Sequence, residues 1–121
     1  MAAFWRTCAV LPGGGPFLEL LFMSLSDRVS HPGLRQKIMS AEAAAALIEA
    51  GSNVGMSGFT GAGYPKVVPQ ALAERINALH AQGEKFRIGL WTGASTAPEL
   101  DGALAKVDGI EMRLPYQSDP T

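Results

Sequence analysis

Between Leu34 and Leu114, short apolar runs alternate with longer stretches of helical spacing, and this alternation limits the fold more than any other feature. Ser40 is an N-cap residue ahead of the alanine-rich stretch Ala41 to Ala50, with Glu42 placed to favour the helix dipole and Gly51 to end the helix. Ser52 to Ser57 reads as a short strand, followed by the glycine-rich loop Gly58-Phe59-Thr60-Gly61-Ala62-Gly63-Tyr64. Val68, Leu72, Ile76 and Leu79 then recur at nearly one helical turn, predicting a helix that Pro69 opens and Gly83 closes. Phe86 to Trp91 is the clearest strand, and Thr92-Gly93-Ala94-Ser95-Thr96 is a second strand-to-helix loop. Pro98 opens a further helix with Glu99 and Asp101 in its first turn; Gly109 ends it, and Ile110 to Leu114 reads as a third strand. Strand and helix in this order predict an α/β fold with a parallel βαβαβ sheet and right-handed crossovers.

The length of 121 residues suits one domain, but the pattern starts late and stops early. Residues 1–33 carry the breaker cluster Pro12-Gly13-Gly14-Gly15-Pro16 and read as a leader and linker outside the core, with Met23 as an alternative start. Residues 34–121 read as a partial domain, because three parallel strands leave an unpaired edge and the chain ends soon after the third. The fragment is therefore expected to be truncated, marginally stable and prone to association.

Composition narrows the class of function. Ten basic and eleven acidic residues give a net charge of −1 with no basic cluster, which argues against nucleic-acid binding. A single cysteine, Cys8, excludes an internal disulfide framework, and no ligand spacing points to a metal. No apolar run approaches the roughly 20 residues that span a bilayer, so no membrane partner is expected. A cytoplasmic location is expected.

Ligands of open parallel sheets bind beyond the carboxyl ends of the strands. Three segments lie there: Gly58–Tyr64, Thr92–Thr96 and Tyr116–Asp119. Helix N-termini and close backbone approach at glycines favour a carboxylate, a phosphate or a developing oxyanion. The pattern Gly58-x-x-Gly61-x-Gly63 matches neither the dinucleotide fingerprint nor the P-loop. Ser95 and Thr96 fit N-caps as well as ligands, and Ser118 fits a turn. His31 and His80 have no triad partners, and no glutamate sits in a loop that would suit a nucleophile. The residues alone describe an α/β anion-binding module without a catalyst.

The run Ser57-Gly58-Phe59-Thr60-Gly61-Ala62-Gly63-Tyr64-Pro65-Lys66, followed by Val68-Pro69 and Ala71-Leu72-Ala73, resembles the acetyl-CoA hydrolase/transferase family, in particular succinyl-CoA:acetate CoA-transferases. The resemblance continues through Gly83-Glu84-Lys85, Thr92 to Thr96, Leu100-Asp101-Gly102, Leu104-Ala105-Lys106, Arg113, Pro115 and Asp119, covering about residues 34 to 121. It implies the start of a class I CoA-transferase N-terminal domain within a larger, homodimeric enzyme of two α/β domains. The substrates implied are an acyl-CoA thioester and a small carboxylate such as acetate or succinate, with no tightly bound cofactor. The catalytic glutamate, which forms a glutamyl-CoA thioester, would lie in a C-terminal domain beyond Thr121, leaving no catalytic residue in this chain. By the resemblance, Ser95 corresponds to a residue that helps hold the substrate carboxylate and Ser118 to a position that is threonine in close relatives; both hydroxyls would donate to a carboxylate oxygen, and the loop Gly58, Phe59, Thr60, Gly61, Ala62, Gly63 would line the cleft. Gln117 stands where asparagine is more usual. A stand-alone α/β binding module, a hydrolase, and a piece that pairs with a separate C-terminal subunit are the competing expectations.

Overall fold

A computed structural model describes residues 27–116 and divides the chain into two compact units, Met1–Ile38 and Met39–Thr121. In the first unit, the described part holds one helical turn, α1 (Pro32–Arg35). The segment read from sequence as linker thus has local order of its own. His31 caps the turn, its Nδ1 accepting from the Gly33 N–H at 3.1 Å, and Arg35 Nε reaches back to the Val29 carbonyl.

In the second unit the elements run α2 (Ala41–Ala46), β1 (Asn53–Gly55), α3 (Val68–Ala81), β2 (Ile88–Trp91), a π-helical turn (Pro98–Gly102), α4 (Ala103–Lys106) and β3 (Ile110–Leu114). The strands are parallel in the order β1-β2-β3, as the alternation predicts. Ser40 Oγ caps α2 through the Ala43 N–H at 3.1 Å. That helix ends at Ala46, short of the expected Ala50. The Ala45 carbonyl, which still accepts the Ile48 N–H, and the Ile48 carbonyl both accept from Arg75 Nη1, at 2.9 and 2.6 Å. One guanidinium on α3 thus terminates α2 and lies over the Phe86 ring, 4.9 Å from its centroid.

The core gathers on one face of the sheet. Leu72, Ala73 and Ile76 of α3 meet Ile88 and Leu90 of β2, with Ala45, Phe86, Leu100 and Leu104 around them. The helical spacing of Leu72 and Ile76 and the alternation along β2 put these apolar groups inside together. The opposite face carries Asn53, Gly89 and Met112 in one row and Gly55, Trp91 and Leu114 in the next. Trp91 is 48% exposed there, and its indole N–H donates to Asn53 Oδ1.

Between β2 and β3 the register slips. Ile88 pairs with Ile110 but Gly89 pairs with Met112, so Glu111 is an extra residue. This bulge sets Arg113 beside Leu90, on the core side of the sheet, rather than beside Trp91 on the exposed side.

Candidate functional site

The two glycine-containing loops beyond β1 and β2 meet backbone to backbone. Phe59 and Ala62 exchange N–H···O bonds at 2.9 Å in both directions, closing a tight turn around Thr60 and Gly61. Those central residues have φ of 43° and 82°, the positive pair that a type I′ turn requires. The Thr60 N–H donates to the Ala94 carbonyl at 3.0 Å, joining the hairpin to the second loop. Glycine is needed on both sides of this junction. A Cβ on Gly93 would overlap the Gly58 carbonyl, and one on Gly58 would run into the Thr96 methyl and lie 2.8 Å from Tyr64 Cβ.

Ser95 sits half-buried at the centre of the second loop, with φ of 44°, a left-handed conformation that L-residues other than Asn and Asp rarely adopt. Its N–H donates to the Tyr116 carbonyl at 3.0 Å. Thr96 is 1% exposed; its N–H donates to Asp101 Oδ2 at 2.7 Å, and its hydroxyl lies 3.2 Å from that of Thr92. Neither residue caps the following turn, whose N-cap is Ala97 with no side-chain bond.

Asp101 lies in the first turn, as the sequence places it, and is 2% exposed, its carboxylate accepting from this loop. It pairs with Arg113: Nε donates to Oδ1 at 3.2 Å and Nη2 to Oδ2 at 3.0 Å. The same guanidinium donates to the Gly93 carbonyl at 2.8 Å, to Thr96 Oγ1 at 3.2 Å and to the Tyr116 carbonyl at 3.0 Å. A buried ion pair of this kind needs further hydrogen bonds to offset its desolvation, and here each of the three guanidinium nitrogens has a partner.

A second, exposed cluster rims the site. The Tyr64 hydroxyl donates to Glu99 Oε2 at 3.1 Å, and the Lys66 ammonium lies over the Tyr64 ring, 3.4 Å from its centroid. Glu99 is held below its ordinary carboxyl value by its own backbone N–H first, then by Tyr64, with a smaller contribution from Lys66.

Ser95 and the Gly58–Gly63 hairpin are therefore neighbours, while Ser118 and Gln117 lie outside the described residues. Residue types alone mark none of Thr92, Asp101 and Arg113 as part of a site. The available signal was an arginine in the otherwise mostly apolar stretch Ile110 to Leu114, one residue ahead of the Leu114-Pro115 pair. A recess of about 610 Å³ lies at the opposite, amino-terminal end of the strands, among Gly51, Phe86, Arg87 and Asp108, and none of the candidate residues lines it. Among the described residues, no cluster of His, Cys, Asp or Glu could hold a metal, and no helix is long and apolar enough to cross a membrane.

A parallel sheet with covering helices, its carboxyl strand ends closed by glycine loops and a strained serine, defines the chain as an α/β domain. Residues 23–120 match the acetyl-CoA hydrolase/transferase N-terminal domain, and the chain belongs to that family. It is 46% identical over 92 residues to the succinyl-CoA:acetate CoA-transferase of Clostridium kluyveri, covering 76% of this chain and 16% of that protein. It is 41% identical over 80 residues to the propanoyl-CoA:succinate CoA transferase of Escherichia coli, covering 66% of this chain and 16% of that protein. With the acetyl-CoA hydrolase of Neurospora crassa the identity is 36% over 94 residues, covering 78% and 18%. The chain thus spans less than a fifth of the length of these relatives, and the family is one of enzymes.

Proposed function

We propose that this chain is the N-terminal portion of an enzyme that moves coenzyme A between an acyl-CoA, acetyl or succinyl, and a free carboxylate. The observation that carries the reading is the left-handed Ser95, held in the crease between two abutting backbone loops in a chain of this family. Strain of this kind persists where the surroundings over-determine it, and it gathers at binding and active sites. Ser95 and, outside the described residues, Ser118 would donate hydroxyls to a carboxylate oxygen, with the Gly58–Gly63 hairpin as one wall of the cleft.

In this reading the chain contributes no nucleophile. A glutamate of a C-terminal domain attacks the thioester carbonyl, and the CoA thiolate leaves as an acyl-glutamyl anhydride forms. The thiolate then attacks the glutamyl carbonyl, giving glutamyl-CoA and releasing the first carboxylate. The second carboxylate repeats these steps in reverse and departs as the new thioester. Coenzyme A is a substrate here, no cofactor is tightly bound, and the full-length enzyme is a cytoplasmic homodimer. Residues 34–121 form the first part of the catalytic domain, and the family match carries it back to residue 23.

A second reading is favoured by relatives named acetyl-CoA hydrolase: water takes the place of the acceptor carboxylate and the thioester is hydrolysed. The test incubates the purified chain with succinyl-CoA, with and without acetate, and follows acetyl-CoA by chromatography and free thiol by colour. No turnover by the chain alone is expected, with acetate shifting the Ser95 and Thr96 amide resonances. Acetyl-CoA made by the chain alone would refute a nucleophile located elsewhere. Thiol release independent of acetate would favour the hydrolase.

A further inference from the structure

We infer that Arg113 is a positioning residue for Ser95: its guanidinium holds the loop at Gly93 and at Thr96, on either side of Ser95, and so sets the geometry of the carboxylate site. The inference rests on the functional reading above only for what the site binds. The placement itself stands on the hydrogen bonds of the second loop.

Ser95 adopts its φ of 44° against the ordinary preference of a serine, so something outside the residue must hold it. Three anchors surround it. Before it, the Gly93 carbonyl accepts from Arg113 Nη2 at 2.8 Å. After it, Thr96 is held at both ends: its hydroxyl accepts from Nη2 at 3.2 Å, and its N–H donates to Asp101, which Arg113 grips through Nε and Nη2. Across from it, the Tyr116 carbonyl accepts both the Ser95 N–H at 3.0 Å and Arg113 Nη1 at 3.0 Å. One planar group thus fixes Gly93 two residues before Ser95, Thr96 directly after it and the acceptor of its own N–H.

Only arginine offers this. Its guanidinium presents five N–H donors in a rigid plane, whereas a lysine ammonium presents three on a flexible stem and cannot fork a carboxylate while reaching carbonyls on either side. The β3 bulge is what brings the group to this side of the sheet. Arg113 itself need not touch the ligand, because each of its three nitrogens is already bonded within the loop network.

The test uses the ¹⁵N-labelled 121-residue chain with Arg113→Lys, Asp101→Asn and, as a remote control, Arg87→Met, whose parent side chain pairs with Asp108 on the exposed surface. Three quantities are read: the Ser95 H^N–Hα coupling, acetate affinity from the Ser95 and Thr96 amide shifts, and the urea midpoint. Arg113→Lys is expected to change the Ser95 coupling and weaken acetate by about tenfold, the loss of one hydrogen bond to a charged group. Arg87→Met should leave both as they are. An unchanged Ser95 coupling in a folded Arg113→Lys chain would overturn the inference. Should Arg113→Lys fail to fold, Asp101→Asn decides by the same coupling, since it keeps the side-chain shape and an acceptor for Thr96. If acetate leaves the parent spectrum unmoved, the functional reading fails while the coupling still decides the role of Arg113.

Discussion

Gly93→Ala probes the junction on which the candidate site depends. Gly93 has no left-handed φ, so the backbone itself would accept alanine and the obstacle is contact alone. The added Cβ would overlap the Gly58 carbonyl and lie 2.9 Å from its carbon and 3.1 Å from Phe59 Cα. Ordinary contacts between carbon and a carbonyl oxygen begin at roughly 3.3 Å, so the hairpin must withdraw as a unit. Withdrawal strains the bond from the Thr60 N–H to the Ala94 carbonyl. Overpacking costs about 1–3 kcal/mol. One backbone hydrogen bond contributes about 1 kcal/mol, and lost glycine freedom in the unfolded chain returns about 0.4–1 kcal/mol. The net is about 2 kcal/mol, which at a urea slope of about 1 kcal/mol/M lowers the unfolding midpoint by about 2 M. Gly55→Ala is the matched control, for nothing lies within 4 Å of its Cβ. Far-UV circular dichroism in urea reads both variants. Coincident midpoints for Gly93→Ala and Gly55→Ala would refute the argument from loop contact.

Other substitutions test separate parts of the structure. Ile76→Ala empties a fully buried site and should cost about 2–5 kcal/mol in urea unfolding. It also removes the Cδ1 atom 2.8 Å from a Cβ on Gly109, so Gly109→Ala should do less harm in the Ile76→Ala background than in the parent. Thr60→Gly relieves a β-branched residue at φ of 43° and should raise stability by about 1 kcal/mol, measured as a higher melting temperature. Arg75→Met removes the side-chain donor to the Ile48 carbonyl and one of the donors to the Ala45 carbonyl, and should cost about 1–3 kcal/mol in the same measurement. The folded-state pKa of Glu99 lies below its ordinary 4.5, so its contribution to stability is present above that value and is lost as the pH falls through the lowered one. Tyr64→Phe should raise the Glu99 midpoint toward the ordinary value in a ¹³C carboxyl titration; an unchanged midpoint would remove Tyr64 as a cause.

Periodicity carried most of the architecture. Leu72 and Ile76 at helical spacing, and Ile88 and Leu90 at strand spacing, needed only local rules to be placed in the core. The glycine loops were readable for the same reason, since Gly58 and Gly61 adopt conformations that few other residues tolerate. Two features resisted. The end of α2 at Ala46 depends on Arg75, a residue of the next helix, so no window around Ala41 to Ala50 contains the cause. Arg113 depends on the bulge at Glu111: counted without a slip from Ile110, it would fall beside Trp91 on the exposed face. Its partner Asp101 looked like an ordinary first-turn acid because acids are common there, and only the fold shows which way it faces.

The parallel order of the strands also governs how the structure forms in time. Asn53 pairs with Gly89 and Leu90 with Arg113, so every rung of the sheet waits for a whole crossover to close. No hairpin between neighbouring strands can form first and template the rest. Such non-local pairing belongs to the slower range of folding rates. Helix α3 on β2 is then the natural nucleus, and substitutions at Leu72 or Ile76 should slow refolding. The Arg113 network joins β3 to the loop ends, away from that nucleus, and is expected to close last. Its loss should leave the rate of formation nearly untouched and shorten the lifetime of the native state.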